Sequence, residues 1–186
     1  MQLRPATPAD VTMVGDIDAT IEATRYLHLD RTGQGFAMHW RLEERPLREK
    51  LVRGNPLAED HAFTLRQIAG GADEGLAVVA EHDGVLVALL LSQPDPVRQV
   101  LRVLDVRVDY DHRRQGLATA LLFQAVNHAR DLGLRAVATE STTANLPACQ
   151  LLAKTGFELA GVDERRNTNH DLVKEAVTLF WYAPLD

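Results

Sequence analysis

Residues 100–133 read VLRVLDVRVDYDHRRQGLATALLFQAVNHARDLG, and the order of patterns inside them decides the fold. From Val100 to Val108 the residues repeat with period two. Leu101, Val103, Asp105 and Arg107 alternate against Val100, Arg102, Leu104, Val106 and Val108, which is the pattern of a strand. From Leu117 the period changes. Leu117, Leu121, Ala125 and Ala129 recur every fourth residue, and Leu122, Val126 and Leu132 widen the stripe. That predicts a helix of about four turns, closed at Gly133. Arg135 to Ser141 then returns as a strand. A strand, a helix and a strand within about forty residues make a crossover unit, so its two strands are expected to be parallel.

The flanking sequence supplies further elements. Toward the N-terminus, Gln2 to Arg4 reads as a short strand. Thr7-Pro8-Ala9-Asp10 carries a capping signal with Pro in the first helical turn. Val11, Val14, Ile17 and Ile21 continue an apolar stripe that Asp18 interrupts, so a helix is predicted over about 8–24. Residues 26–40 are irregular, with Gly33 and Gly35. Pro46 to Arg53 reads as a second short helix stopped by Gly54-Asn55-Pro56. Ala77–Glu81 and Val85–Leu91 are β-rich runs joined at Asp83-Gly84, a strong hairpin signal. Ser92–Pro96 reads as a loop. On the C-terminal side Asn145 can cap a helix that tolerates Pro147 in its first turn and ends at Thr155-Gly156. Phe157–Val162 and Ala176–Trp181 are the last two strands. The expectation is an α/β chain, one domain with a mixed sheet.

The bulk properties set limits. The chain has 186 residues and ordinary globular composition. A net charge of −6 argues against nucleic acid as the main partner, because phosphate binding wants a basic face. It suits a cationic substrate. The one cysteine, Cys149, cannot make an internal disulfide or a zinc site, and it reads as a packing residue. The seven histidines, at 28, 39, 61, 82, 112, 128 and 170, show no metal-ligand spacing, so no metal is expected. The N-terminal residues carry no apolar signal core, and the longest apolar run, Val85–Leu91, is too short to span a bilayer. A cytoplasmic protein with no membrane partner is the expectation.

The chemistry concentrates in Asp109–Thr119, DYDHRRQGLAT. Gly116 lacks a Cβ, Ala118 keeps the next turn small, and both sit where a strand feeds a helix. The first N–H groups of a helix point outward and its dipole favours negative charge, so a pyrophosphate fits there. No Gly-Lys-Ser/Thr is present, which excludes a Walker loop.

Arg113, Gly116 and Ala118 form the Arg-x-x-Gly-x-Ala pattern, which resembles the acetyl-CoA pyrophosphate motif of the GNAT superfamily of N-acetyltransferases. A second stretch, Glu140–Val162, sharpens the resemblance. Glu140, Asn145, Pro147-Ala148-Cys149, Ala153-Lys154, Gly156-Phe157, Gly161 and Asp163, with Glu175 to Trp181-Tyr182, are similar to the streptothricin acetyltransferases. The similarity covers about residues 100–183.

The resemblance implies a single-domain mixed sheet of about seven strands flanked by about four helices, with a splayed parallel pair of strands forming the acyl-CoA cleft. Residues 1–186 would be one acetyltransferase domain, with 1–70 as a variable acceptor-side region and 100–160 as the acetyl-CoA core. It implies transfer of an acetyl group from acetyl-CoA to a primary amine. Acetyl-CoA would meet the backbone of Val106 and Val108, the turn and helix start formed by Arg113, Arg114, Gln115, Gly116, Leu117, Ala118 and Thr119, and Asn145. A backbone N–H near Val106 would polarise the thioester carbonyl. Many members carry a Tyr thought to protonate the leaving thiolate; the matching residue here is Leu152, which has no proton to give. Glu140 is the first candidate for binding the substrate cation or acting as base, against a reading as a surface or capping carboxylate. Asp105 is the second, against a salt bridge with a neighbouring Arg. Tyr26, Phe36, Trp40 and the Glu43-Glu44 pair stand either in the acceptor pocket or on solvated faces. The expected partners are acetyl-CoA and a small-molecule amine, with a homodimer left open. The alternatives are a protein or peptide N-acetyltransferase, and a non-catalytic acyl-CoA-binding module.

Overall fold

The computed structural model describes residues 1–185. In chain order its elements are β1 (Gln2–Pro5), α1 (Asp10–Met13), β2 (Ile21–Gln34), β3 (Ala37–Arg53), α2 (Glu59–Ala69), β4 (Leu76–His82), β5 (Val85–Asp95), β6 (Val100–Val108), α3 (Leu117–Asp131), β7 (Ala136–Thr142), α4 (Leu146–Lys154), β8 (Glu158–Asp163) and β9 (Thr178–Pro184). Seven strands share one sheet in the order β1-β4-β5-β6-β7-β9-β8, and β2 pairs with β3 in a sheet of two. The chain divides into two units. One holds Met1–Thr20, Gly54–Thr139 and the C-terminal residues from Tyr182; the other holds Ile21–Arg53 and Glu140–Trp181.

In the first unit, β4 and β5 form the hairpin expected at Asp83-Gly84, where both residues have positive φ and His82 faces Val85. β5 runs antiparallel to β6, and β6 pairs in parallel with β7 from Val100↔Ala136 to Arg102↔Ala138. The crossover helix α3 spans the predicted residues and buries Leu117, Leu121, Leu122, Ala125 and Ala129. It packs on β4, β5 and β6. A separate buried cluster joins Val14, Ile17 and Leu65 to Ala77, Val79, Leu89 and Leu91. α3 adds nothing to that cluster, so α1 and α2 cover one face of these strands and α3 the other.

Two local expectations fail here, and one helix has no counterpart in the sequence pattern. The helix predicted over 8–24 is only Asp10–Met13 plus a 3-10 turn at Val14–Asp16. Val14 and Ile17 are buried as the stripe requires, but the chain leaves the helix before Ile21. Ser92–Asp95, read as loop, continues β5 and pairs with Val100–Val103 despite Pro94. Helix α2 was not predicted. Its acidic first turn, Glu59-Asp60, and the fully buried Leu65 are the signals that identify it afterwards.

The second unit is built on a long hairpin. β2 and β3 pair from Ile21↔Arg53 to Gln34↔Ala37, with an irregularity where Ala23–Arg25 face Leu51–Pro46. The helix expected at Pro46–Arg53 is therefore strand. Its charged residues favour a helix locally, but Leu51, Val52 and Arg53 pair with Ala23, Glu22 and Ile21, and tertiary pairing overrides a weak propensity. Pro46, which has no N–H to donate, sits at the irregularity. Gly35, at φ +58°, makes the tight turn. Thr143 ties the unit together. Its carbonyl accepts from Leu27 N–H at 3.0 Å and its N–H donates to Val177 O at 2.9 Å. Its hydroxyl donates to Glu175 O at 3.0 Å.

Candidate active site

The ladder between β6 and β7 stops at Arg102↔Ala138. β6 runs six residues further, Val103–Val108, paired with β5 on its other side. Thr139 Oγ1 donates to Val103 O at 3.2 Å at the parting point. A parallel pair that separates in this way leaves backbone groups on one edge of β6 to bond something other than a strand. Val106 and Val108 are half-buried on that edge segment. The register with β5 also slips at Leu91/Ser92, so that Asp105 faces Leu91 while Val103 faces Ser92. Leu104 is the extra residue of this bulge, and bulges redirect the groups next to them.

The turn after β6 is held by Asp109. Its carboxylate accepts from Asp111 N–H at 3.2 Å and Asp18 N–H at 3.1 Å, and His112 Nδ1 lies 3.2 Å away. Asp109 N–H donates to Val87 O at 2.8 Å. Arg113 donates Nε to Val108 O at 3.3 Å and stacks over the Tyr110 ring at 5.1 Å. Arg114 and Gly116, two apart, both have positive φ, +62° and +81°. Backbone of this kind curls N–H groups toward one point. Gly116 is the N-cap of α3, and no side chain bonds the free N–H groups of the first turn. A Cβ at Gly116 would meet no atom within 4 Å, so the space above the turn is open. Arg114, Gln115 and Gly116 are exposed, Ala118 and Thr119 half-buried, and Leu117 is buried and anchors the helix. This turn suits an anion with several oxygens.

Asp105 is not a free carboxylate. Arg107 donates Nε to Oδ1 at 2.8 Å and Nη2 to Oδ2 at 2.7 Å, a bidentate pair, and Nη1 to Asn55 O at 3.1 Å. His61 Nδ1 stands 3.6 Å from Asp105 Oδ2. Burial pushes the Asp105 carboxyl up, but His61 and Arg107 together hold it below its ordinary value.

The remaining candidates lie in the second unit. Glu140, on β7, is exposed and accepts from Arg166 Nη2 at 2.9 Å, with Arg166 also 5.7 Å from the Phe180 ring. Asn145 caps α4, its Oδ1 accepting from Ala148 N–H at 3.3 Å. Leu152 is buried in α4. Cys149 is buried between Ser141 Oγ (3.2 Å) and Thr142 O (3.4 Å), and burial pushes its thiol up, away from nucleophile behaviour. Tyr26 donates to Glu175 Oε1 at 2.8 Å, and His28 lies between Glu175 (3.5 Å) and Asp30 (3.1 Å). Phe36 is fully exposed at the hairpin tip, Trp40 donates to Glu164 at 3.0 Å, Glu43 pairs with Arg45, and Glu44 pairs with Arg25.

The sequence profile of the acetyltransferase (GNAT) family matches residues 36–157, about two thirds of the chain. The chain belongs to that family. Among relatives of this acetyltransferase, the streptothricin acetyltransferase of Streptomyces lavendulae is 29% identical over 164 residues, covering 87% of this chain and 84% of the relative. A solved nourseothricin acetyltransferase superposes with a TM-score of 0.80 at 23% identity, over 100% of this chain and 98% of that one. A protein assigned as a streptothricin acetyltransferase from Bacillus anthracis, solved in complex with acetyl coenzyme A, superposes with a TM-score of 0.78 at 16% identity, over 100% and 97%.

The acetyltransferase is therefore an enzyme that uses acetyl-CoA as co-substrate and acetylates an amine. Among the described residues no group of His, Cys, Asp and Glu is disposed to hold a metal ion, and no helix is long and apolar enough to cross a membrane. Two groupings escaped the sequence reading. His61 carries no spacing signal and reaches Asp105 only because α2 packs on the strands. Tyr26, His28 and Asp30 share one face of β2 by alternation, but the segment reads as irregular until its pairing with β3 is known.

Proposed function

We propose that this acetyltransferase acetylates a primary amine of a small cationic molecule, and that a streptothricin-type antibiotic is the first such molecule to test. The observation that carries the reading is the alignment with the Streptomyces lavendulae enzyme, which runs through most of both chains. The net charge of −6 favours a cationic acceptor. Acetyl-CoA, held in the cytoplasm, would lie along the free edge of β6 with backbone bonds to Val106 and Val108. Its pyrophosphate would rest on Arg113, Arg114, Gln115, Gly116, Leu117, Ala118 and Thr119, where α3 offers uncapped N–H groups. Residues 100–160 are thus the acetyl-CoA core and 1–70 the region that varies with the acceptor, within one acetyltransferase domain.

In this reading Glu140 binds the ammonium of the acceptor by a charge-assisted bond. Its partner Arg166 is exposed and can move aside. Asp105, locked by Arg107, orients rather than accepts protons. The N–H of Val106 polarises the thioester carbonyl. Leu152 gives no proton, so the thiolate leaves with the proton that the attacking nitrogen sheds.

The test is thiol release from acetyl-CoA across a panel: streptothricin, polyamines, aminoglycosides, free lysine and peptides with free N-termini. Streptothricin is expected to turn over fastest and to gain one acetyl group by mass. Turnover of the peptides alone would make this a protein acetyltransferase instead. Binding of acetyl-CoA with no turnover of any amine would make it an acyl-CoA-binding module.

A further inference from the structure

We propose that His61 accepts the proton that the acceptor ammonium must lose before attack, with Asp105 and Arg107 as the residues that position it. The proposal rests on the reading of β6 as the acetyl-CoA strand.

The register of β6 against β5 places Asp105 opposite Leu91 and Arg107 opposite Leu89. Directly opposed residues share a face of the sheet. Leu89 and Leu91 belong to the buried cluster that includes Leu65 of α2, so Asp105 and Arg107 rise on the face that α2 covers. Val106, between them, has its side chain on the other face and its N–H in the plane of the strand. A carbonyl bonded to that N–H is therefore approached from the α2 face past the Asp105 and Arg107 side chains. His61, in the first turn of α2, is the side chain that α2 sends to that point.

The three residues form a graded series from buried to accessible. The Arg107 side chain is 1% exposed, Asp105 12% and His61 26%. Arg107 uses three donors, two on the carboxylate and one on Asn55 O, so the carboxylate cannot turn. Its Oδ2 faces His61 Nδ1 at 3.6 Å. With Nδ1 assigned the hydrogen, toward the carboxylate, Nε2 is the acceptor on the far side of the ring. The pair with Asp105 raises the His61 pKa above its ordinary value, against the opposing effect of burial; Asp60 adds to the rise and Arg107 opposes it. An imidazole is better suited to accept the proton than a carboxylate held down by an Arg. Asp105 stabilises the imidazolium that forms.

The step balances without a further reactant. R–NH3⁺ gives one proton to His61 Nε2. The freed lone pair forms the C–N bond at the thioester carbon, and the carbonyl π pair moves to oxygen, facing Val106 N–H. Collapse restores the C=O and breaks the C–S bond, whose pair leaves with sulfur. The nitrogen's surplus proton passes to that thiolate, giving the CoA thiol and the amide, and His61 releases its proton to water.

The test uses the whole protein with acetyl-CoA and streptothricin, or the best amine of the panel. His61→Asn and His61→Gln are expected to lower kcat/KM for the amine about a hundredfold near neutral pH while the Kd for acetyl-CoA, read by calorimetry, stays within about twofold. The loss should shrink at high pH, where the amine is already neutral. The acidic limb of the wild-type kcat/KM profile should match the pKa of the His61 ring read by NMR titration, and should be absent from both variants. Wild-type rates in folded variants, or a limb that does not follow the His61 ring, would overturn the proposal. Absence of acetyl-CoA binding in the wild type would instead overturn the reading of β6, and this proposal with it. If one variant does not fold, the other and the wild-type titration still decide.

Discussion

Asp10 shows how a residue can be read correctly in kind and incompletely in partners. Thr7 and Asp10 carry a capping signal in the sequence. In the structure Asp10 Oδ2 accepts from Thr7 N–H at 2.7 Å and from Thr7 Oγ1 at 2.9 Å. Arg4, on β1, adds two bonds at 2.7 and 2.9 Å, which no local pattern announces. Arg4 and then Thr7 hold the Asp10 carboxyl down to about 2, from 3.8, although burial opposes them. A lowered carboxyl contributes stability that is present above its unfolded pKa and is lost as pH falls through the folded one. At about 1.4 kcal/mol per unit, the pair contributes about 2 kcal/mol at neutral pH. Asp10→Asn should lower stability by about that amount at pH 7 and by much less near pH 2, in urea melts at the two pH values. An equal loss at both would mean that shape, not charge, matters there. Asp105 and Glu140 follow the same rule. Each was legible as a carboxylate worth weighing, but Arg107 and Arg166 could not both be foreseen, because Arg107 is two residues from its partner and Arg166 twenty-six.

At the scale of elements, the sequence was readable where local pattern and tertiary need agree. α3 buries Leu117, Leu121, Leu122, Ala125 and Ala129 of the predicted stripe, though Leu132 is exposed beyond its last turn; β6 has the predicted bounds, and α4 starts at the predicted cap. It was unreadable where a strand is made by its partner. Residues 46–53 are helical in propensity and strand in fact, because Leu51, Val52 and Arg53 have Ala23, Glu22 and Ile21 to pair with. The parting of β6 from β7 was an expectation from resemblance, since no residue pattern marks where a ladder stops. The cap of α4 gives an element-scale prediction. Asn145 Oδ1 satisfies Ala148 N–H, and losing a cap of this type costs about 1 kcal/mol. Asn145→Ala should lower the unfolding free energy from urea melts by that amount, with Asn145→Asp retaining most of the stability. No change in Asn145→Ala would mean that solvent caps α4 equally well.

At the scale of the molecule, neither unit is a continuous piece of chain. The backbone passes from one to the other at 20–21, 53–54, 139–140 and 181–182. Chain crossings of this number tie the folding of each unit to the other, so heating should give one transition whose calorimetric and van't Hoff enthalpies agree. Acetyl-CoA is proposed to bind residues of the first unit, on β6 and the start of α3. A ligand that binds only the folded state adds RT ln(1 + [L]/Kd), about 2.7 kcal/mol at a hundredfold excess over Kd. For a chain of this size that is a rise in Tm of about 5–11 °C. If the two units unfold together, the whole transition moves. If they unfold separately, only the first unit's transition moves. Gly116→Asp separates binding from folding. Its Cβ meets nothing within 4 Å, so the penalty to the fold is the strain of a non-glycine at φ +81°, about 1 kcal/mol. Its carboxylate stands where a pyrophosphate is proposed, so acetyl-CoA affinity should fall more than tenfold, or about 1.4 kcal/mol. The variant should therefore melt slightly below the wild type, as one transition, and show a markedly smaller rise in Tm at the same acetyl-CoA concentration. A full wild-type rise in Gly116→Asp would remove the turn at 113–119 from the co-substrate site.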